Sequence, residues 1–157
     1  MKIELIPAKD MTNLSECLKV RNAVFTLERK VPVEIEVDEQ DVLDGDCEHF
    51  LIKWDGKSVG ACRCMQTESG VRLQRFCILK ECRGQGVGKA ALTRLEEYYK
   101  QRFSGGYSFG QQYGFRMELD SKFEACGFYE ACGYQRESEV FMEAGIPHVK
   151  MGKMFSY

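Results

Sequence analysis

A chain of 157 residues, 44% apolar and 29% charged, can bury a sizeable core, which excludes the disordered and fibrous classes. No run approaches the 18 apolar residues of a membrane-spanning helix, and MKIELIPAKD has no apolar stretch long enough for a signal peptide, so a cytoplasmic location with no membrane partner is expected. A net charge of −2 does not point to nucleic acid as a partner.

In chain order, residues 2–7 alternate and stop at Pro7, as a first or edge strand does. Leu14, Leu18 and Phe25 recur at helical spacing from Asp10 to about Glu28, with Asp10 or Thr12 as N-cap and Pro32 beyond the end. Residues 34–48 have no clear period and read as a loop with at most a short helical turn. Residues 48–54, 58–67 and 71–79 read as three strands, joined by turns at Asp55-Gly56 and Ser69-Gly70. A helix follows from about Gly86 to Arg102, burying Val87, Ala91, Leu95 and Tyr98, and ends at Ser104-Gly105-Gly106. Residues 115–120 form a further strand, 123–131 a short helix ending at Gly133, and 134–142 and 148–155 two closing strands. The class is α+β, a mixed and mostly antiparallel sheet of about seven strands flanked by helices. Its order is β-α-(α)-β-β-β-α-β-α-β-β, without repeats or low-complexity linkers, so 1–157 reads as a single domain.

Charge is unevenly placed. From Glu34 to Glu48 there are eight acidic residues and no basic one, which leaves 22 basic against 16 acidic residues elsewhere. Such polarity suits a protein that handles an anionic cofactor at one place and a cationic group at another. The eight cysteines include no C-x-x-C pair, and His49 and His148 lie far apart, so no metal site is expected and the thiols read as reduced, small apolar side chains. Asp44-Gly45-Asp46-Cys47-Glu48 lacks the calcium-loop pattern.

The densest signal is "CRGQGVGKAAL", residues 82–92, where Gly84, Gly86 and Gly88 directly precede a helix. A helix start presents backbone N–H groups with no intrahelical partner and a partial positive charge, and glycines let that rim close around an anion such as a pyrophosphate. Arg83 and Lys89 add charge. Lys89 is followed by Ala90, so the hydroxyl of a P-loop is missing, which disfavours a nucleotide-binding switch. A dinucleotide fingerprint fits only in its looser form from Gly86 to Ala91, and no acidic residue follows between Gly106 and Gln112 to hold a ribose. What remains is R-x-x-G-x-G, Arg83 to Gly88, or a tight strand-to-helix turn with no ligand.

In context, "LQRFCILKECRGQGVGKAALTRLEEYY" (73–99) resembles motif A of the GNAT-type N-acetyltransferases, and "FEACGFYEACGY" (123–134) resembles their A-x-x-F-Y-x-x-x-G-F signature. "VFTLERKVPVEIEVDEQD" (24–41) and "FMEAGIPHVKM" (141–151) resemble a small bacterial subgroup, the ElaA-like and YjcF-like proteins. "LDSK" (119–122) departs from the His-Ala-Gln or Asn-x-A that relatives carry there.

The resemblance implies a GNAT fold and transfer of an acetyl group from acetyl-CoA, as co-substrate, to a small-molecule amine. It places the pyrophosphate on Arg83, Gly84, Gln85, Gly86, Val87, Gly88 and Lys89, and the pantetheine arm along Phe76, Cys77 and Ile78. The amide of Cys77 or Ile78 would donate to the thioester oxygen. Tyr129 matches the tyrosine near the cofactor sulfur and would protonate the departing thiolate; otherwise it is a packed core tyrosine. Glu28 and Glu36 match positions bordering the acceptor, or else form a solvated acidic face. Glu28, Glu36, Asp38 and His148 are alternatives for the base, acting through water, and His148 is equally readable as a structural histidine. The acidic segment suggests an acceptor that is cationic before reaction. A homodimer is compatible with the resemblance, and a non-catalytic acyl-CoA-binding module is the competing reading.

Overall fold

A computed structural model describes residues 1–105 and 111–157. The strands are β1 (Ile3–Pro7), β2 (Cys47–Trp54), β3 (Lys57–Gln66), β4 (Gly70–Ile78), β5 (Gly114–Lys122), β6 (Gln135–Arg136), β7 (Phe141–Glu143) and β8 (Ile146–Ser156). The helices are α1 (Met11–Arg21), α2 (Val33–Glu36), α3 (Val87–Gly105) and α4 (Cys126–Ala131). The sheet runs β1-β2-β3-β4-β5-β8-β6, with β7 also on β8. The β4–β5 pair is parallel, whereas β1–β2, β2–β3 and the pairs made by β8 are antiparallel.

Eight strands replace the expected seven because the stretch 134–142 pairs with β8 twice. Arg136 faces Met151 and Phe141 faces His148, so four residues, 137–140, stand against two on β8. The surplus leaves the ladder, and the Ser138 hydroxyl takes up the Lys150 amide at 2.9 Å.

The chain divides into two compact units, Met1–Met65 with Arg75–Glu97, and Gln66–Gln74 with Tyr98–Tyr157. In the first, strand alternation feeds two apolar clusters. Ile52, Ile3, Val59 and Ile78 pack with Val87 and Ala91 of α3. Leu51, Ala61 and Cys77 pack with Cys17 and Val20 of α1 and with Val24. Helix α1 is capped by Asp10, whose carboxylate accepts from the Asn13 amide at 2.8 Å. Its buried stripe is Leu14, Cys17, Val20 and Arg21, one step round from the expected one, and Leu18 is only half-buried. Beyond α1 the chain widens into a π-helical segment, Asn22–Glu28.

In the second unit β5 alternates cleanly, with Phe115, Met117, Leu119 and Ser121 buried. Phe115 stacks on Phe155 at 4.8 Å and meets Phe103 at 5.2 Å, and Phe103 stacks on Tyr99 at 5.5 Å. Tyr99, not Tyr98, therefore continues the buried face of α3, because it stands four residues beyond Leu95. Helix α3 reaches Gly105, and the Gly106 of the expected break lies outside the described residues.

Six of the eight cysteines are buried, Cys82 and Cys132 are half-buried, and all eight are free. Burial pushes the Cys17 and Cys77 thiols up to about 12. Among the described residues no helix is long and apolar enough to cross a membrane, and no cluster of His, Cys, Asp or Glu has the arrangement of a metal site.

Candidate functional site

Strand β4 leaves the sheet through one 3₁₀ turn, Lys80–Cys82, and enters α3 through Arg83–Gly86. Gly84 and Gly86 have φ of 75° and 83°, which side chains rarely adopt. The Gly86 carbonyl accepts from the Ala90 amide at 3.1 Å, so Val87, Gly88 and Lys89 carry the first helical N–H groups. A Cβ at Gly84 would meet no atom within 4 Å, and one at Gly86 only the tip of Met1. The glycines thus serve the bend, and the space beside them is open. Val87 is buried in the core and fixes the first turn, leaving its backbone as its contribution to a ligand.

Arg83 is held from two sides. Its Nε donates to the Ile78 carbonyl at 2.9 Å, and its two terminal nitrogens donate to the two Glu28 carboxylate oxygens at 2.7 Å each. This fork-on-fork pair lowers the pKa of Glu28 and raises that of Arg83. Glu28, the last residue of the π-helical segment, is therefore engaged with the glycine loop.

On β4, Cys77 and Ile78 are buried and Phe76 packs on the Ile3–Val87 cluster. Gly60 of β3 lies so close to the Cys77 carbonyl that a Cβ there would stand 2.6 Å from it. Cys77 thus offers main chain, not thiol. Just before them Arg75 sits at φ 54°, a left-handed residue inside the strand. The ladder of β4 with β5 covers Gly70–Leu73 against Arg116–Leu119.

The acidic segment is organised by arginines, not by solvent. Arg21 of α1 donates to Glu36 at 2.7 Å and to Asp41 at 2.6 Å and 3.1 Å. Arg63 of β3 forks onto Asp38 at 2.7 and 2.8 Å and reaches Asp41 at 3.0 Å. Arg75 donates to the Glu36 carbonyl at 3.2 Å and approaches the Glu36 carboxylate at 3.5 Å. The side chains of Arg21, Glu36 and Asp41 are each 1–2% exposed. Among the described residues Glu36 Oε2 is buried without a hydrogen-bond partner. The bond from Arg63 brings Asp38 down to about 2. The reading of Glu36 as part of a solvated face is thereby corrected, because three of the eight carboxylates, Glu36, Asp38 and Asp41, neutralise three guanidinium groups inside the fold. Glu34, Glu39, Asp44 and Asp46 stay exposed.

The second unit holds Tyr129 and His148. Tyr129 of α4 is 8% exposed, edge-on to Phe128 at 5.0 Å and to Tyr134 at 5.9 Å. His148 of β8 faces Phe141 of β7 and Lys122 of β5. Its Nδ1–H donates to the Ile146 carbonyl at 2.7 Å, and its Nε2 lies 3.6 Å from Glu143. His49, in the first unit, donates through Nε2–H to the Gln40 carbonyl at 2.8 Å, and burial lowers its pKa. In the divergent stretch 119–122, Ser121 is buried and bonds the Lys122 carbonyl at 2.8 Å.

The first unit therefore gathers Phe76–Ile78, Arg83–Lys89, Glu28, Glu36 and Asp38, and the second gathers Tyr129 and His148. Sequence reasoning missed Arg21, Arg63, Arg75 and Asp41. A usable signal existed for two of them: Arg21 continues the buried spacing Leu14–Cys17, and Arg63 interrupts the apolar run "VGACRC".

Comparison with known proteins identifies the family. The profile described as "Acetyltransferase (GNAT) domain" matches residues 19–155. YyaT of Bacillus subtilis is 38% identical over 147 residues, covering 92% of this chain and 90% of its own. The uncharacterized N-acetyltransferase YjcF of the same organism is 36% identical over 151 residues, covering 96% and 99%. The crystal structure of Escherichia coli ElaA superposes with a TM-score of 0.77 at 22% identity over 97% of this chain and 98% of that one, a likeness of fold. With the profile spanning nearly its whole length and two relatives above 35% identity, the chain belongs to the GNAT acetyltransferase family.

Proposed function

We propose that this protein is an N-acetyltransferase that moves the acetyl group of acetyl-CoA to the amine of a small, cationic acceptor by direct attack in a ternary complex. One observation carries the reading: two left-handed glycines open the start of a 19-residue helix, with free space beside them and an arginine alongside. That is a fit for a pyrophosphate, with the amides of Val87, Gly88 and Lys89 as donors. The reading makes 1–157 one transferase domain, cytoplasmic, with neither membrane nor nucleic acid as partner.

In the reaction the neutral amine nitrogen forms a bond to the thioester carbon. The carbonyl becomes an oxyanion held by a main-chain N–H of Cys77 or Ile78. The C–S bond then breaks, and the Tyr129 phenol gives its proton to the departing thiolate. The amine proton passes to a base. The four exposed carboxylates of the acidic segment, Glu34, Glu39, Asp44 and Asp46, support a cationic acceptor, since Glu36, Asp38 and Asp41 are already paired with arginines.

The competing reading, an acyl-CoA-binding module without turnover, is favoured by the same pairing, which leaves Glu28, Glu36 and Asp38 engaged by arginines. A free-thiol assay with acetyl-CoA and a panel of amines separates the two. Amine-dependent coenzyme A release that drops at least 10-fold in Tyr129→Phe, with acetyl-CoA affinity retained, supports the transferase. Tight acetyl-CoA binding with no release on any amine supports the module.

A further inference from the structure

We propose that His148 is the base that takes the proton from the acceptor amine, acting through Nε2; this rests on the transferase reading above. The first argument is the state of the alternatives. Glu28 gives both oxygens to Arg83, and Asp38 gives both to Arg63. Glu36 is 2% exposed, bonded to Arg21 and approached by Arg75. A carboxylate bonded by a guanidinium is stabilised in its charged form and is a weaker base for it.

His148 is built the other way. A carbonyl can only accept, so its bond with Ile146 fixes the proton on Nδ1 and leaves the lone pair on Nε2. Among the described residues Nε2 has no hydrogen-bond partner, and a Glu143 carboxylate oxygen stands 3.6 Å away. The ring lies flat against Phe141, 6.0 Å between centroids and 26° between planes, which holds its direction. This is the tautomer and orientation that a base acting at Nε2 requires.

Its place in the sheet fits the division of labour. His148 stands opposite Lys122, the last residue of β5, three positions beyond Leu119, where the β4–β5 ladder ends. On β8 it shares a face with Lys150, which reaches Glu118 at 3.5 Å, and Arg72 joins the same face through Glu118 and Asp120. The opposite face carries Val149, Met151 and Lys153, and Lys153 bonds the carbonyl of Cys132 just past α4. The helix of Tyr129 thus lies on one face and His148 on the other. Amine and thiol are different substituents of the tetrahedral carbon, so the group that deprotonates one and the group that protonates the other can approach from different sides. Phe141 and Glu143 of β7 and Lys122 of β5, itself paired with Glu124 at 3.5 Å, surround the imidazole, with Asp120 and Lys150 further along the face.

The test uses the whole chain. With only two histidines, nitrogen-15 spectra resolve both rings. His148 is expected with its proton on Nδ1 and His49 with its proton on Nε2; a proton on Nε2 of neutral His148 overturns the proposal. The second arm measures kcat/KM against pH with acetyl-CoA and the best amine of the panel, for wild type, His148→Gln and His148→Asn. Asn is included because its side-chain N–H can keep the bond to Ile146. Both variants are expected to lose roughly 100-fold or more and to flatten the acidic limb of the profile, with melting temperature and acetyl-CoA affinity close to wild type. Rates within threefold of wild type, or a loss that is uniform across pH and tracks melting temperature, overturn it. If wild type releases no coenzyme A with any amine, the transferase reading falls and His148 falls with it; if wild type turns over and the variants match it, only His148 falls.

Discussion

Asp41→Asn is expected to be among the most damaging isosteric changes in the chain. Its two oxygens accept from Arg21 twice, from Arg63, and from the Asp38 amide at 2.9 Å. Three guanidinium groups and three carboxylates cancel in this cluster, and the Arg21 and Arg63 side chains are only 1% and 5% exposed. Asn keeps the shape, leaves one positive charge uncompensated in a dry site, and turns an N–H group toward donors. Breaking a buried pair by removing one partner costs about 3–5 kcal/mol. For a chain of this size that is a drop in melting temperature of roughly 6–20 °C. Urea titration followed by circular dichroism reads the loss as a shift in midpoint at constant slope. A cost below about 1 kcal/mol would mean that water reaches the arginines and that the cluster is an ordinary surface network. Pairing Asp41→Leu with Arg21→Met should cost less than the sum of the two single changes.

Asp38, held at about 2 from an ordinary 3.8, binds protons more weakly folded than unfolded. Its contribution is complete above pH 4 and is lost as pH falls toward 2, so the difference in stability between wild type and Asp38→Asn should shrink over that window. With 29% of its side chain exposed, about 1–2 kcal/mol is expected at neutral pH, and a difference that does not vary with pH would contradict the assignment. Gly86→Ala should cost the fold only about 1–2 kcal/mol, because its Cβ has room but its φ is 83°. The same Cβ stands beside the amides, so calorimetry should show coenzyme A binding at least 10-fold weaker; unchanged affinity would move the pyrophosphate elsewhere. Iodoacetamide on native protein at pH 8 should label Cys82 and Cys132 first and leave the six buried thiols, including Cys17 and Cys77, slow. Rapid labelling of more than two cysteines by mass spectrometry would refute the packing.

What the residues announced, and what they hid, follows from locality. The hairpin at Asp55-Gly56, the cap at Asp10 and the helix start after Gly86 are settled by a few neighbouring residues, and each is where the pattern puts it. The glycine motif was legible for the same reason. The arginine cluster was not: Arg21, Arg63 and Arg75 come from three elements and meet one acidic loop, so nothing local marks them as partners. An acidic run looks solvated until its counter-ions, up to 39 residues away, are brought in. Tyr129 and His148 were nameable from sequence, yet the hydrogen bond that sets the His148 tautomer depends on the β7–β8 turn, where Ala144 and Gly145 have φ of 51° and 75°. The split of 134–142 into two strands depended on a two-residue register change that no periodicity records.

Arg75 carries a lesson for anyone redesigning this chain. Its left-handed backbone costs about 1–2 kcal/mol that a glycine would relieve, so consensus-style stabilisation would nominate Arg75→Gly. The guanidinium, however, staples the Ile35 and Glu36 carbonyls at 3.4 and 3.2 Å and so fastens the α2 turn to the strand. The substitution would relax one residue and unfasten a whole segment, and a stability screen alone would not reveal which of the two had been traded away.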